Sequence, residues 1–277
     1  MHIQWYPGHM TKAVRMMEEN VKLVDAVLYM LDARAVRACF NPTFFRLAGD
    51  KPIVFVVNKS DLVTDKDLKS MVGALREEGH TVVSANSLGG IGVKDVVRTL
   101  KLSLSDKVER YRMKGIKKTL RAMVLGVPNS GKSTLVNSLC GSKRAMTGNR
   151  PGVTRGKQWV ALGDYVELLD TPGTLMPSFD NQEYARHLCY IGCVDENIVD
   201  LVELVSAFIE DVRVISPGAI ATRFGIDESM KPYEVLDAIG RKRGCMVKGG
   251  DVDVERAARV LLDDFRKGKL GKIALEI

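Results

Sequence analysis

The segment from Gly126 to Ser133 has the residue types and spacing of a phosphate-binding loop. It reads GVPNSGKS and fits the pattern GxxxxGK[ST], in which glycines let the backbone curve so that its N–H groups point at phosphate oxygens. An apolar stretch precedes the loop and a helix-forming stretch follows it, so the positive end of a helix dipole adds to the site. Lys132 is predicted to reach the β- and γ-phosphates, and Ser133 to bind Mg²⁺. The loop residues predicted to contact nucleotide are Pro128, Asn129, Ser130, Gly131, Lys132, Ser133 and Thr134.

A second motif, Asp170-Thr171-Pro172-Gly173, follows the apolar stretch Val166–Leu169. An aspartate at the end of a strand can hold Mg²⁺ through water, and the Gly173 N–H can meet the terminal phosphate and so sense its presence. Alone, these four residues are compatible with an ordinary turn. Their position about forty residues after a phosphate loop favours a nucleotide switch.

The sequence Asn58-Lys59-Ser60-Asp61 follows a short apolar run and is suited to guanine. The Asp61 carboxylate can accept hydrogen bonds from N1–H and N2–H₂ of guanine, a donor pair that adenine lacks. Asn58 can bond the other edge of the base and tie this loop to the phosphate loop, while the Lys59 stem lies on the base plane. A later loop, predicted to contact guanine O6 through a backbone N–H, consists of Ser84, Ala85 and Asn86. Together these motifs favour GTP over ATP.

The basic loop from Arg150 to Arg155 lies between the phosphate loop and Asp170. Thr154 in this loop is predicted to give Mg²⁺ a second hydroxyl ligand when GTP is bound. The alternative is a flexible basic loop with no metal ligand.

Short β-branched runs alternate with helical patterns up to about residue 170, which predicts an α/β fold with a mostly parallel sheet covered by helices on both faces. The pair Gly163-Asp164 predicts one antiparallel hairpin at a sheet edge. The predicted strands are Ala26–Leu31, Ile53–Val57, Thr81–Val83, Arg121–Gly126, Gln158–Leu162 and Val166–Asp170. The predicted helices of this part are Met10–Leu23, Asp65–Glu78, Gly92–Ser105 and Lys132–Leu139. The segment Lys101–Lys118 is charged and helix-prone and joins the two halves of the sheet.

After Pro177 the strand pattern disappears. We therefore predict two domains: a nucleotide-binding domain over residues 1–177, and a small all-α, RNA-binding domain over residues 178–277. Amphipathic patterns predict helices in the second domain at Gln182–Cys193, Glu196–Glu210, Pro232–Ile239 and Val254–Lys267. Its candidate RNA contacts are Arg241, Lys242, Arg243, Lys248, Arg266, Lys267, Lys269 and Lys272, although interspersed acidic residues leave a plain solvated surface as the alternative.

Composition adds broad limits. The chain has 277 residues and a net charge of +7, a moderate bias towards polyanions. No apolar run is long enough to cross a bilayer, so we expect a cytoplasmic protein without a membrane partner. The five cysteines have no disulfide spacing. Cys189 and Cys193, with His187 nearby, are compatible with a metal site, but buried helix-face cysteines are the preferred interpretation.

The motifs run in an unusual order, because the guanine loops at residues 58–61 and 84–86 precede the phosphate loop instead of following it. This order, with Trp5-Tyr6-Pro7-Gly8-His9-Met10 at the front, resembles the circularly permuted GTPases of the YlqF/YawG type, and within them the ribosome biogenesis GTPase A family. The resemblance covers essentially the whole chain. It implies a factor that binds ribosomal RNA and acts on the large ribosomal subunit or its precursor, and we expect a monomer when it is free.

The residue after Gly173 is Thr174, where a Ras-like enzyme has the glutamine that orients the attacking water. A threonine side chain is too short for that role. His9 is the candidate replacement, because the resembling family carries a histidine there and a neutral imidazole can orient water; the alternative is a structural or RNA-contacting histidine. Asn129 matches the asparagine of potassium-activated GTPases and suggests a K⁺ site. The residues predicted to act in hydrolysis are His9, Lys132, Thr154 and Gly173.

The sequence therefore predicts a slow GTPase, stimulated by the ribosomal particle, that uses GTP, GDP, Mg²⁺ and K⁺. Because the segment after Gly173 leads directly into the helical domain, we expect nucleotide state to set the orientation of that domain. The missing glutamine keeps an alternative open, in which an RNA-binding protein uses GTP as a structural or regulatory ligand with little hydrolysis.

Overall fold

The structure, a computed structural model, describes residues 3–4, 8–140, 158–162, 166–175 and 179–276. The side chains of residues 8, 9, 140 and 158 lie outside this description. Within it, six strands form one sheet in the order β3-β2-β1-β4-β6-β5. Their bounds are β1 Ala26–Asp32, β2 Ile53–Asn58, β3 Thr81–Ser84, β4 Leu120–Gly126, β5 Gln158–Ala161 and β6 Val166–Asp170.

The sheet confirms the predicted α/β class. Strands β3, β2, β1, β4 and β6 pair in parallel, and β5 pairs antiparallel with β6 at one edge. Every residue of β1 is buried, as expected for a central parallel strand covered on both faces. Because side chains alternate along a strand, Tyr29 faces one core and Leu28 and Met30 face the other.

Helices cover both faces of the sheet. The core on one face includes buried residues of α4 and α6, such as Val96 and Leu135. The core on the other face includes residues of α1, α2 and α3, such as Met17 and Leu75. The bounds are α1 Gly8–Val21, α2 Pro42–Ala48, α3 Asp65–Glu77, α4 Val93–Ser103, α5 Ser105–Met113 and α6 Lys132–Cys140.

The remaining helices pack on the same side of the sheet as α1. Leu188, Phe208 and Phe265 belong to the same buried cluster as Tyr29 and Leu125 of the sheet. The hydrophobic core is therefore continuous across the predicted boundary at residue 177, and the division into two domains stays a prediction. These helices are α7 Gln182–Tyr190, α8 Leu201–Ile215, α9 Ala219–Phe224, α10 Pro232–Arg243 and α11 Val254–Arg266. Among the described residues, no helix has the length and apolar character needed to span a bilayer.

Several predicted helix boundaries were wrong for local reasons. The predicted helix Glu196–Glu210 is a 3-10 turn, Glu196–Ile198, followed by α8, because Asp200 caps α8 by accepting a hydrogen bond from the Glu203 N–H. Helix α7 ends at Tyr190 instead of residue 193, and Gly192 adopts a left-handed conformation just beyond it. Helices α2 and α9 were not predicted, because their six or seven residues are too few for a clear amphipathic pattern.

The segment after α11 returns to the sheet and packs beside the predicted guanine loop at residues 58–61, called the guanine loop below. The Ile273 N–H donates to the Leu62 carbonyl at 3.1 Å, and the Leu275 N–H donates to the Arg34 carbonyl at 2.7 Å. The Glu276 carboxylate accepts hydrogen bonds from the N–H groups of Arg37 and Ala38 and lies 3.1 Å from His187 Nδ1. This segment therefore supports the chain just after β1 and β2.

Replacing Glu276 with alanine should lower the free energy of unfolding by about 1–3 kcal/mol, because two backbone N–H groups lose their acceptor. Urea denaturation of the purified protein measures the change. Glu77→Ala, at an exposed position of α3, is the matched control and should change stability by less than about 0.5 kcal/mol. Equal midpoints for the two variants would show that the contact contributes little.

Candidate nucleotide-binding site

The phosphate loop joins β4 to α6 at the carboxyl end of the central strands, where open α/β sheets bind ligands. Its backbone is tightly curved: Asn129 has φ +57° and Gly131 has φ +94°. A Cβ atom on Gly131 would lie 2.2 Å from Asn58 Nδ2, so this position requires glycine. The Ser130 hydroxyl donates to the Val127 carbonyl at 2.9 Å and holds the turn.

The Lys132 ammonium lies inside this loop. Its Nζ donates to the carbonyls of Gly126 at 3.1 Å and Val127 at 2.7 Å. Burial lowers the pKa of Lys132 to about 8, and the nearby Asp170 carboxylate offsets only part of that effect. Bound phosphate oxygens would favour the charged ammonium, which is the form that stabilises a polyphosphate.

Ser133 and Asp170 meet beside the loop in an arrangement that fits Mg²⁺. The Ser133 hydroxyl donates to Asp170 Oδ2 at 2.8 Å. The other carboxylate oxygen, Oδ1, is buried and has no hydrogen-bond partner among the described residues. Burial also raises the pKa of Asp170. Mg²⁺ takes oxygen ligands of this kind, so a metal ion would satisfy the buried oxygen.

Gly173 lies in direct contact with the phosphate loop and brings the motif Asp170–Gly173, called the switch motif here, next to it. A Cβ atom at this position would lie 2.6 Å from Pro128 Cα and 2.8 Å from Lys132 Nζ. Thr174, which follows, is fully buried, and its hydroxyl lies 3.4 Å from the Leu175 carbonyl. The residue at the Ras glutamine position therefore offers no exposed polar group to an attacking water.

Asn58 connects the guanine loop at the end of β2 to its neighbours. Its Nδ2 donates to the Ser130 carbonyl at 2.9 Å, as expected for a tie to the phosphate loop. Its Oδ1 accepts from the Ser87 N–H at 3.0 Å and from the Ser87 hydroxyl at 2.7 Å. One buried side chain thus fixes three loops relative to one another, and Ser87 is a supporting residue that sequence reasoning missed.

The remaining guanine-loop residues lie close together. The Ser60 N–H donates to the Ala85 carbonyl at 3.2 Å, which joins the two loops predicted to hold the base. Ala85 is buried and continues the line of β3, which ends at Ser84, while Asn86 pairs with Ile91. Asp61 is exposed and lies in the 3-10 turn Ser60–Leu62.

A buried carboxylate at the end of β1 is the main feature that sequence reasoning missed. Asp32 accepts hydrogen bonds from Arg34 Nε at 2.9 Å and Nη2 at 2.7 Å, and its Oδ2 lies 2.7 Å from Lys59 Nζ. Burial acts to raise the pKa of Asp32, but the two cations outweigh it and hold the pKa well below its usual range. Lys59 also donates to the Asn129 carbonyl at 2.7 Å. An acidic residue directly after a buried strand was the available sequence indication.

The helical part of the chain contacts the phosphate loop directly. Asn129 Nδ2 donates to the Gly192 carbonyl at 2.6 Å, and the Cys193 thiol donates to the Pro128 carbonyl at 2.8 Å. Arg266 of α11 holds the end of α7 by donating to the carbonyls of Cys189 at 2.6 Å and Tyr190 at 2.8 Å. Arg266 is therefore a structural residue, although the sequence made it a candidate RNA contact.

Four further residues that the sequence singled out are His9, Thr154, Cys189 and Cys193. Thr154 lies outside the described residues, and His9 lies in the first turn of α1 with its side chain outside them. Cys189 and Cys193 are buried with free thiols, and the described residues contain no cluster of His, Cys, Asp and Glu suited to a metal ion.

The fold and site define a circularly permuted P-loop GTPase, an enzyme that binds and hydrolyses GTP. A family profile described as 50S ribosome-binding GTPase matches residues 121–237, which begin at β4 and include the phosphate loop. Ribosome biogenesis GTPase A of Bacillus cereus is 37% identical over 278 residues, covering 100% of this chain and 94% of that protein. The chain belongs to the ribosome biogenesis GTPase A family, also called YlqF.

Two solved structures support the same assignment. GNP-bound YlqF from Thermotoga maritima has a TM-score of 0.70 and 27% identity, covering 96% of this chain and 97% of that one. The GDP-bound form has a TM-score of 0.67 and 26% identity, covering 95% and 98%.

Replacing Asp32 with asparagine should lower the free energy of unfolding by about 3–5 kcal/mol at neutral pH, because Arg34 and Lys59 lose a buried charged partner. The effect should depend on pH. Asp32 has a lower pKa in the folded than in the unfolded state, so its contribution is complete above an unfolded pKa of about 4 and is lost as pH falls below it. Urea denaturation at several pH values measures this effect. The difference in free energy of unfolding between wild type and Asp32→Asn should become smaller as the pH falls.

The control for this variant is Asp50→Asn, at an exposed position after α2, which should leave stability nearly unchanged. The ion-pair interpretation would be contradicted if the difference in free energy of unfolding between Asp32→Asn and wild type stayed constant from neutral to acid pH.

Replacing Gly173 with alanine should weaken binding of a non-hydrolysable GTP analogue more than binding of GDP. The added Cβ forces the motif Asp170–Gly173 away from Pro128 and Lys132, at a cost of about 1–3 kcal/mol, or roughly fivefold to 150-fold in affinity. Fluorescent-nucleotide titration measures both constants. Gly73→Ala is the control, since nothing lies within 4 Å of its added Cβ. Equal losses for the analogue and GDP would argue against γ-phosphate sensing by Gly173.

Proposed function

We propose that this GTPase acts in the assembly of the large ribosomal subunit and binds ribosomal RNA in a nucleotide-controlled manner. The bond between Asn129 of the phosphate loop and the Gly192 carbonyl carries the proposal, because it couples the nucleotide site to the helical part of the chain. The Bacillus cereus relative is named for ribosome biogenesis, and a bovine relative, 30% identical, is named mitochondrial ribosome-associated GTPase 1. We propose that the protein works in the cytoplasm and is a monomer when free.

Magnesium is the first proposed cofactor. Ser133 and Asp170 would hold the ion, with Thr154 as a further ligand in the GTP-bound state. The buried, unpartnered Oδ1 of Asp170 supports this assignment. When bound, the ion neutralises charge on the β- and γ-phosphates.

Potassium is the second proposed cofactor, with Asn129 as a ligand. Because the Asn129 amide also contacts Gly192, binding of K⁺ at this residue would affect the same contact that joins the phosphate loop to the helical part.

For hydrolysis, we propose that His9 orients the attacking water while Lys132 and the Gly173 N–H stabilise the transferred phosphoryl group. The burial of Thr174 supports this proposal, since that side chain offers no substitute for glutamine. Hydrogen bonds between Ile3 and Gln182 attach the N-terminal segment to the first residue of α7.

We propose that the helical region, residues 178–277, forms a separate functional unit whose orientation follows the nucleotide state. Its exposed Lys242, Lys248 and Lys272 are the better candidates for RNA contact. Among the other basic candidates, Arg243 and Lys269 pair with the buried Asp264, and Arg266 pairs with Glu196. Arg241 and Lys267 form only exposed pairs within one helix turn, with Asp237 and Asp263.

The decisive experiment measures GTP hydrolysis in potassium or sodium buffer, with and without purified large ribosomal subunits. We expect slow turnover alone, stimulation of at least about tenfold by the subunit, and faster turnover in potassium. His9→Ala should lose the stimulated rate but keep GTP affinity. Tight GTP binding without stimulation would favour the alternative, in which GTP is a structural or regulatory ligand of an RNA-binding protein. Equal rates in sodium and potassium would remove the K⁺ site.

A further inference from the structure

Residues 141–157 carry five basic and no acidic residues but lie outside the described residues. Within the part of the chain that the structure describes, positive charge is greatest in the segment 92–121, which comprises α4, α5 and the connection into β4. This segment contains ten Lys and Arg residues and three Asp and Glu residues, a net charge of +7 that equals that of the whole chain. In contrast, residues 178–277 contain fourteen basic and eighteen acidic residues, a net charge of −4. Long-range attraction of a polyanion therefore favours residues 92–121 over the helical region.

Eight of these ten cations are exposed, while Lys107 pairs with the largely buried Asp25 and Arg121 pairs with Glu167 of β6 at 2.9 Å. Arg98 pairs with Asp95 at 2.9 Å and Arg112 with Glu109 at 3.6 Å, each within one helix turn and in solvent, where such pairs contribute little. Among the described residues, no ion pair involves Lys94, Lys114 or Lys117. The exposed basic residues of the segment are Lys94, Arg98, Arg110, Arg112, Lys114, Lys117, Lys118 and Arg121.

The same surface offers a groove and aromatic rings. A groove of about 550 Å³ runs between α4 and α5, and its lining includes Lys94, Arg98 and Lys101. Further along, Lys118 Nζ lies 4.6 Å from the centre of the Tyr111 ring. Arg121 lies 4.9 Å from the ring of Trp159, which is 36% exposed. Cations interleaved with accessible aromatic rings suit RNA, whose phosphates take the charges and whose unstacked bases stack on rings.

The position of this surface separates it from the sites already described. Helices α4 and α5 pack on the sheet face opposite the helical region, since α4 belongs to the core that α7–α11 do not enter. The connection from α5 enters β4 at its amino end, whereas the phosphate loop leaves β4 at its carboxyl end. Both faces of the protein can therefore be engaged while nucleotide is bound.

We propose that the exposed surface of residues 92–121, called here the α4–α5 surface, is an RNA-binding site that takes the phosphate backbone of structured RNA. This inference rests on the proposed function, because ribosomal RNA is the RNA that a ribosome assembly factor meets. It assigns the main electrostatic contact to the nucleotide-binding part of the chain, and leaves the helical region to respond to nucleotide.

The test uses the full chain with Lys94→Gln, Lys114→Gln and Lys117→Gln combined. The matched control combines Lys22→Gln, Lys66→Gln and Lys69→Gln, three exposed lysines outside the α4–α5 surface with the same change in charge. Binding to fluorescently labelled large-subunit ribosomal RNA is titrated at several KCl concentrations. Each lost phosphate contact lowers the slope of log affinity against log salt by about 0.7–0.9. We expect the first variant to lose about tenfold or more in affinity and about two units of slope, and the control to match wild type.

Intrinsic GTP hydrolysis and GDP affinity should be unchanged in both variants, which verifies that each folds. Equal RNA affinity and slope for variant and wild type would overturn the α4–α5 site while leaving the proposed function intact. A variant that binds RNA normally but loses binding to intact large subunits would also overturn it and indicate an acidic protein partner. If wild type binds neither RNA nor subunits and is not stimulated by them, the proposed function itself fails.

Discussion

The buried carboxylate of Asp32 is the interaction on which the nucleotide site depends. It is balanced by Arg34 on one side and Lys59 on the other, and each cation continues to a different part of the chain. Arg34 lies 3.4 Å from the Arg266 carbonyl at the end of α11, and Lys59 donates to the phosphate loop. A charge buried this deeply is tolerated only when paired and hydrogen-bonded. The guanine loop, phosphate loop and helical region therefore share one electrostatic centre.

Circular permutation changes how these loops are connected without changing where they lie. The guanine loop follows β2 and the phosphate loop follows β4, yet the parallel order β2-β1-β4 brings the carboxyl ends of these strands together. Asn58 completes the arrangement by bonding the Ser130 carbonyl across the site. The helical region joins the same assembly through Gly192 and Cys193. Under the proposed function, loss or gain of a γ-phosphate would reach the helices through these contacts of the phosphate loop.

The sequence predicted the sheet and the loops well because both rest on local patterns. Apolar runs located all six strands to within one residue at each end, and the guanine and phosphate motifs carry their chemistry in consecutive residues. The sequence could not predict contacts between distant positions, such as the contact of Asp32 with Lys59 or of Glu276 with the loop after β1. Nor could it separate structural from exposed cations: Arg266 and Lys248 look alike in the sequence, but Arg266 holds α7 and Lys248 faces solvent.

The pairing of β1 with β4 has a consequence for how the protein is made. During synthesis β1, β2 and β3 emerge first and can pair among themselves, whereas β4 begins almost ninety residues after β1 ends. Until β4 is synthesised, the edge of β1 that will pair with it, along the apolar segment Ala26–Leu31, remains unpaired. Such an edge is a template for association with other chains, and closing a long loop is slow. The nascent protein is therefore exposed to aggregation between translation of its two halves, an interval in which a chaperone would protect it.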